Sequence, residues 1–302
     1  MGKMNTITKS YMSDAKYFAD SFNYYLFDGR QVIKPEKLQP LDPTEMAIIP
    51  KESSGDTVEK IRDILKQCIL MADDYVTYLL LGIENQTDVH YAMPVRNMIY
   101  DALNYGKQVV EKARQHRKRK DVKGSGEFLS GFTKEDKLKP LITLTIYFGS
   151  EDWDGPRSLK EMFEEMDENV LRFVEDYKVH LIVPKEIRDF GKFRTDFGKA
   201  MQYLSAASDK NKLWQLRDNP EFRTVDAATV ELLNACTQSK IMIKEDEQVN
   251  VCKGVEGIRE DGRREGISLT KEVYRLERSG KTWEEISQEC GITIEEVEEI
   301  LK

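Results

Sequence analysis

The most coherent apolar run in the chain is Tyr75 to Gln86, YVTYLLLGIENQ, which closes on Glu84-Asn85-Gln86. It is too short for a helix, and its Val, Leu, Ile and Tyr content suits a buried, pleated strand. A carboxylate at the end of such a strand is costly unless it is exposed or paired. Upstream, Val58 to Met71 alternates: Ile61, Asp63, Leu65, Ile69 and Met71 share one side, and Lys60, Arg62 and Lys66 the other. That is the period of one strand with an apolar face, and Asp63 lies on that face. Asp73-Asp74 reads as the tip of a tight hairpin. With Ala72 opposite Tyr75, opposed residues sum to 147, which places Asp63 directly across from Glu84. Opposed Cβ atoms lie about 4.5–5.5 Å apart and like charges there repel, so a cation between the two acids is expected. A slip of one residue would turn them to opposite faces.

The pattern around this hairpin alternates helices with short strands. Residues 13–28 predict a helix capped by Ser13 and stopped by Gly29, with Phe18, Phe22, Tyr25 and Leu26 in a stripe. TEMAIIP (44–50) reads as a short strand and KESSGD (51–56) as a turn-rich loop. From Pro94, at a good first helical position, a long helix runs towards Lys118 with Val95, Met98, Ile99, Ala102, Gly106, Val109, Val110 and Ala113 as its stripe. GSGEFLSG (124–131) reads as a flexible connector, and only loosely as a phosphate loop because no strand ends before it. KPLITLTIYFG (139–149) is a second buried strand, so strand, helix and strand ask for a parallel pair joined by a right-handed crossover. A turn at Asp154-Gly155-Pro156, a helix starting at Leu159, Met162, Phe163 and Met166, a strand at 179–184 and helical segments near 186–209 and 226–240 follow.

These elements suggest a main domain over 1–245, a charged linker over 246–270 and a helix-turn-helix-like tail over 271–302, its turn at Cys290-Gly291. The last 22 residues, 281–302, carry seven Glu against two Lys, and Glu295, Glu296, Glu298 and Glu299 would lie on the second helix. Such a face repels a phosphate backbone, which favours a docking or oligomerisation element over a DNA reader.

Composition narrows the class. The chain has 302 residues, enough for one sizeable core plus an appendage, and a net charge of −8, so nucleic acid would need a local basic patch. Lys112, Arg114, Arg117, Lys118, Arg119, Lys120 and Lys123 make one, although such a run is also an ordinary solvated helix end. Cys68, Cys236, Cys252 and Cys290 form no CxxC pair and the three histidines are scattered, which argues against a zinc site or disulfide framework. With no signal peptide and no apolar run of about 18 residues, a cytoplasmic protein is expected.

Asp63 and Glu84 on neighbouring strands, with a polar residue two places after the Glu, resemble the site of PD-(D/E)XK nucleases. More narrowly, the chain resembles the Rpn family of recombination-promoting nucleases and transposases. The likeness is carried by FADSFNYYLFDGRQVI (18–33), IRD (61–63), LLLGIENQ (79–86), HYAMPVRNMIYDALNYGKQV (90–109), GEFLSGF (126–132) and ITLTIYFGSEDWDGPRSL (142–159). It implies an α/β fold with an αβββαβ core, additional helices and a small helical tail. It also implies a Mg2+-dependent (or Mn2+-dependent) endodeoxyribonuclease whose partner is DNA. Carried over by residue, Asp63, Glu84 and the Asn85 main-chain carbonyl would hold the metal, and Asp20 would be an additional acid. Gln86 would stand in the third motif position, and Arg114, Arg117, Lys118, Arg119 and Lys120 would meet the DNA backbone. Two positions depart from the broader motif: Gln86 replaces its lysine, and Arg62 rather than proline precedes Asp63. Two alternatives stand beside it: a catalytically silent member that binds DNA or a partner, and a structural or regulatory interaction protein that works through the tail, where self-association is also expected.

Overall fold

Tyr75 to Gln86 forms the longest strand of a five-stranded mixed sheet at the centre of an α/β fold. The structure, a computed structural model, describes residues 3–42, 44–48, 57–61, 63–72, 75–237, 239–243 and 248–302. In chain order the elements are α1 (Lys3–Ser13), α2 (Ala15–Phe27), β1 (Leu38–Pro40), β2 (Thr44–Ile48), β3 (Thr57–Ile61), β4 (Ile64–Ala72) and β5 (Tyr75–Gln86). Then come α3 (Met93–Arg119), α4 (Ser125–Ser130), β6 (Leu141–Tyr147), α5 (Glu168–Leu171), β7 (His180–Ile182), α6 (Asp196–Ala206), α7 (Lys210–Gln215), α8 (Ala227–Thr237), α9 (Val251–Arg278), α10 (Trp283–Cys290) and α11 (Ile294–Leu301). The sheet order is β1-β4-β5-β6-β7, and β2 pairs with β3 in a separate ribbon. β4 is antiparallel to β1 and β5, whereas β6 is parallel to β5 and β7. Strand direction therefore changes at β5.

The hairpin has the expected register, with Ala72 opposite Tyr75 and Ile64 opposite Ile83. Its tip, Asp73-Asp74, lies outside the described residues, as do Arg62 and the 51–56 loop. The single strand expected over Val58–Met71 is instead two strands, β3 and β4, with Asp63 in a bend between them. Nor does β4 have one polar face. Ile64 and Cys68 join the main core with Tyr11, Met12 and Phe18 of α1 and α2, while Leu65 packs with Leu80, Leu141 and Tyr105 on the other side. Lys66, expected to be solvated, is buried: its ammonium donates to the Ser13 carbonyl at 2.7 Å and sits 4.7 Å from the Phe18 ring centroid. Burial lowers its pKa. A strand covered on both faces cannot spend its alternation on solvent.

Other expectations shift in detail. Asp14, not Ser13, caps α2, accepting from the Lys16 N–H, because Ser13 ends the unforeseen helix α1. Asp28 and Gly29 close α2 in the left-handed region, as the glycine suggested. The helix expected from Leu159 is reduced to a 3-10 turn and the four-residue α5. The expected flexible connector at 124–131 holds α4. The expected linker at 246–270 is helical from Val251 and belongs to the 28-residue α9. Val251 and Cys252 at its start lie in the main core, while Val273 and Leu276 near its end join Ile286 of α10 and Val297 of α11. A capping box opens each of α10 and α11, Thr282 with Glu285 and Thr293 with Glu296. Part of the tail's acidity is thus capping and first-turn charge that favours helix N-termini.

The connection from α3 to β6 is held by His116. Its Nδ1 faces Asp121 Oδ1 at 2.7 Å and its Nε2 faces Asp136 Oδ2 at 2.8 Å; Asp136 Oδ1 also pairs with Lys112 Nζ at 3.3 Å. Only the doubly protonated imidazole donates through both nitrogens. Hydrogen bonding to Asp121, then to Asp136, raises the His116 pKa, and both aspartates are shifted down. A raised histidine contributes stability that is complete below its unfolded pKa and is lost as pH rises through the folded one. Amide exchange of residues 121–137, corrected for intrinsic rates, should therefore speed up from slightly acid to alkaline pH. In His116→Gln it should be fast throughout, and an unchanged profile would refute the clasp.

Candidate active site

β5 carries Glu84 to the edge where β4 begins. The ladder ends at Ile64 opposite Ile83, so Asp63 and Glu84 are the next opposed residues. They are linked through each other's strands. The Asp63 N–H donates to Glu84 Oε1 at 3.3 Å, and the Asn85 N–H donates to Asp63 Oδ2 at 2.9 Å. The backbone N–H and C=O of one strand residue point to the same side, so the Asn85 carbonyl is turned towards the edge occupied by Asp63. Gln86 alternates onto the face of Glu84, and its own carbonyl accepts from the Phe148 N–H at 2.7 Å.

The N-terminal half of α3 covers this face. Arg96 Nη2 donates to Glu84 Oε2 at 3.1 Å, with the Glu84 side chain 0% and the Arg96 side chain 34% exposed. Arg96 thus supplies Glu84 with a counter-charge from within the chain. Burial opposes the Arg96 charge, but Glu84, Tyr100 and Asp63 outweigh it and raise its pKa. Burial, followed by the charge of Glu84, raises the Tyr100 phenol, which stays neutral and able to donate. Beside them, Asn97 Nδ2 donates to Thr145 Oγ1 at 3.0 Å. Asp101 accepts from Thr143 Oγ1 and from the Tyr177 hydroxyl, each at 2.6 Å.

This corrects the reading of α3 in part: Ala113 of the expected stripe is buried and Val95, Met98, Ile99 and Val109 are half-buried. Its buried residues are Met93, Pro94, Asn97, Tyr100, Asn104, Ala113 and His116, while Ala102, Gly106 and Val110 of the expected apolar stripe are exposed. Arg96, Asn97, Tyr100, Asp101 and Asn104 form a polar series at helical spacing, and that series was the available signal for the residues the sequence reading missed. It faces the sheet because Glu84, Thr143 and Thr145 there need partners. Arg96 Nε, Asn97 Oδ1 and both amide atoms of Asn85 are buried without a hydrogen-bond partner among the described residues. Each such atom calls for a water, an ion or another partner.

The remaining candidates lie elsewhere. Asp20 is buried on α2, and its carboxylate accepts from the Arg194 and Thr195 N–H groups and from Thr195 Oγ1, which anchors the start of α6. Burial raises its pKa against those bonds. The carboxylate expected as an additional acid is thus engaged at the start of α6 by Arg194 and Thr195. Arg114, Arg117, Lys118, Arg119 and Lys120 are exposed on the far end of α3. At 1.5 Å per residue that end is about 30 Å from Arg96. A groove of about 920 Å3 runs between Leu65, Leu80, Asn104 and Gln108, and its lining does not include the acid pair.

The candidate donors, Asp63, Glu84 and the Asn85 carbonyl, are all hard oxygens, the type that Mg2+ and Mn2+ take, and Mg2+ commonly uses only one or two carboxylates and keeps its waters. The residues fit such an ion by type, although no group of three or more His, Cys, Asp and Glu is arranged for a metal among the described residues. Also among them, no helix is long and apolar enough to cross a membrane. None of the four cysteines is in a disulfide. Comparison of the chain with protein-family models, with curated proteins and with solved structures gives no match.

Proposed function

We propose that this chain is a metal-dependent endonuclease that hydrolyses DNA phosphodiesters, of the recombination-promoting type its motifs resemble. The observation that carries the reading is the meeting of Asp63 and Glu84 at the open end of the β4–β5 hairpin, each accepting from the other strand's backbone. Structural support comes from element order. α2, β1, β4, β5, α3 and β6 run helix, three antiparallel strands, helix and a parallel strand, which is the order of a PD-(D/E)XK core.

In this reading Asp63, Glu84 and the Asn85 carbonyl hold Mg2+. The ion supplies counter-charge for the phosphate and lowers the pKa of a water. Gln86, on the same face, orients that water or a phosphate oxygen through its amide. Arg96, on Glu84 Oε2, would be the neighbouring cation available to a phosphate. Purified protein should nick supercoiled plasmid in Mg2+ or Mn2+ and not in excess EDTA. Nicking that ignores chelation would refute the metal role.

One observation favours the silent alternative. Arg96 already neutralises Glu84, so a chain that only binds DNA or a partner could keep the acids as a structural ion pair. Such a protein would shift DNA on a gel without nicking it in either metal. For the tail, exposed Trp283 and Ile294 on the capped pair α10 and α11 suit self-association better than a phosphate backbone.

A further inference from the structure

We propose that the α4 turn and the basic end of α3 form a binding surface for single-stranded nucleic acid, with Phe128 as the platform on which an unpaired base stacks. Phe128 is 83% and Leu129 89% exposed, side by side on a helix of six residues. They are not on a loose strand of chain. Gly131, with φ +65°, brings the end of α4 so near α3 that a Cβ there would lie 2.5 Å from that of Ala113, and the His116 clasp ties down both sides of the connection. The apolar pair is thus held out into solvent by the fold.

What surrounds it is cationic. Arg117 and Lys120 line a groove of about 520 Å3 together with Phe128 and Leu129. Positions 111–139 hold ten Lys and Arg against five Asp and Glu, in a chain whose net charge is −8. Asp121 and Asp136 are taken up by His116, Glu127 accepts from the Lys123 N–H, and Glu111 pairs with Arg114. A cationic groove that follows phosphates, beside an aromatic ring with an open face, is the combination that binds unpaired strands. A duplex offers phosphates but keeps its base faces stacked, so it leaves Phe128 unused. A bilayer is bound by an extended amphipathic face rather than by two apolar residues on a single short turn.

The surface rests on the nucleic-acid reading above but not on Asp63 and Glu84, so the full chain is tested in EDTA, where cleavage plays no part. Polarisation titrations use labelled oligo-dT of about 20 nucleotides and a duplex of similar length. Phe128→Ser should weaken single-strand binding by about 5- to 100-fold, the range of one lost stacking contact, and leave the salt slope unchanged. Duplex binding should stay within about twofold. Arg117→Gln with Lys120→Gln should instead flatten the single-strand salt slope by about 1.4. Failure of the wild type to bind oligo-dT, an affinity indifferent to Phe128→Ser, or an equal loss on the duplex would each overturn the proposal. So would loss of phosphatidylserine-vesicle binding in Phe128→Ser with oligo-dT binding intact. The serine replaces an exposed side chain, and an unchanged melting curve confirms folding. Phe128-dependent binding without plasmid nicking would leave this surface standing and remove the nuclease assignment; nicking with Phe128-independent binding would do the reverse.

Discussion

Replacing Arg96 with alanine should lower stability by about 3 kcal/mol, and more than loss of either acid beside it. Glu84 is fully buried, whereas the Arg96 side chain is one-third exposed. A buried carboxylate stripped of its counter-ion has no route to water, but Arg96 stripped of Glu84 can turn outward. The figure is taken at the lower end of the range for broken buried pairs because Arg96 is partly solvated. For a domain of this size it corresponds to roughly 6–10 °C in Tm. Adding Glu84→Gln to Arg96→Ala removes the stranded charge and should recover most of the loss. An Arg96→Ala protein that melts like the wild type would show that Glu84 does not depend on it.

The second large effect concerns chemistry. Asp63→Ala and Glu84→Ala should each reduce metal-dependent plasmid nicking by at least about 10³-fold, some 4 kcal/mol of transition-state stabilisation. The two should differ in what else they change. Among the described residues Asp63 accepts the Asn85 N–H from the opposing strand, at a half-buried position, so its loss should leave the melting temperature nearly unaltered. Glu84 also holds the Asp63 N–H and Arg96, so its loss should loosen the start of β4. Calorimetry with Mn2+ provides a readout independent of turnover, and each variant should bind the ion more weakly. Wild-type nicking rates in both variants would place the chemistry elsewhere.

The hairpin was legible because a two-residue tip between Ala72 and Tyr75, flanked by two apolar runs, sets the register. That register alone placed Asp63 against Glu84. The break at 62–63 was not legible, since Ile61, Asp63 and Leu65 keep the same period on both sides of it. Nor was the identity of the neutralising cation. Arg96 follows Glu84 by a loop and the first turn of a helix, and Val95, Met98 and Ile99 around it offer a convincing apolar stripe. A helix turns its polar face inward only when the surface beneath is polar, and that surface is assembled from β5 and β6 after folding. The 246–270 segment misled for a related reason. Its charged middle hides apolar positions at helical spacing near either end, Val251, Val255 and Ile258, then Leu269, Val273 and Leu276.

The change of strand direction at β5 has a further consequence. Because β5 and β6 run the same way and β4 runs against them, the acid pair sits where two strands end and one begins. The segments leaving that rim, 87–92 and 148–157, are gathered by a small core of Met93, Tyr147 and Trp153, and Tyr91 reaches across to Asp154. The pairing that aligns Asp63 with Glu84 lies wholly on the other side of the rim. Changes in length or charge in these loops should therefore leave the framework that keeps the two acids together undisturbed.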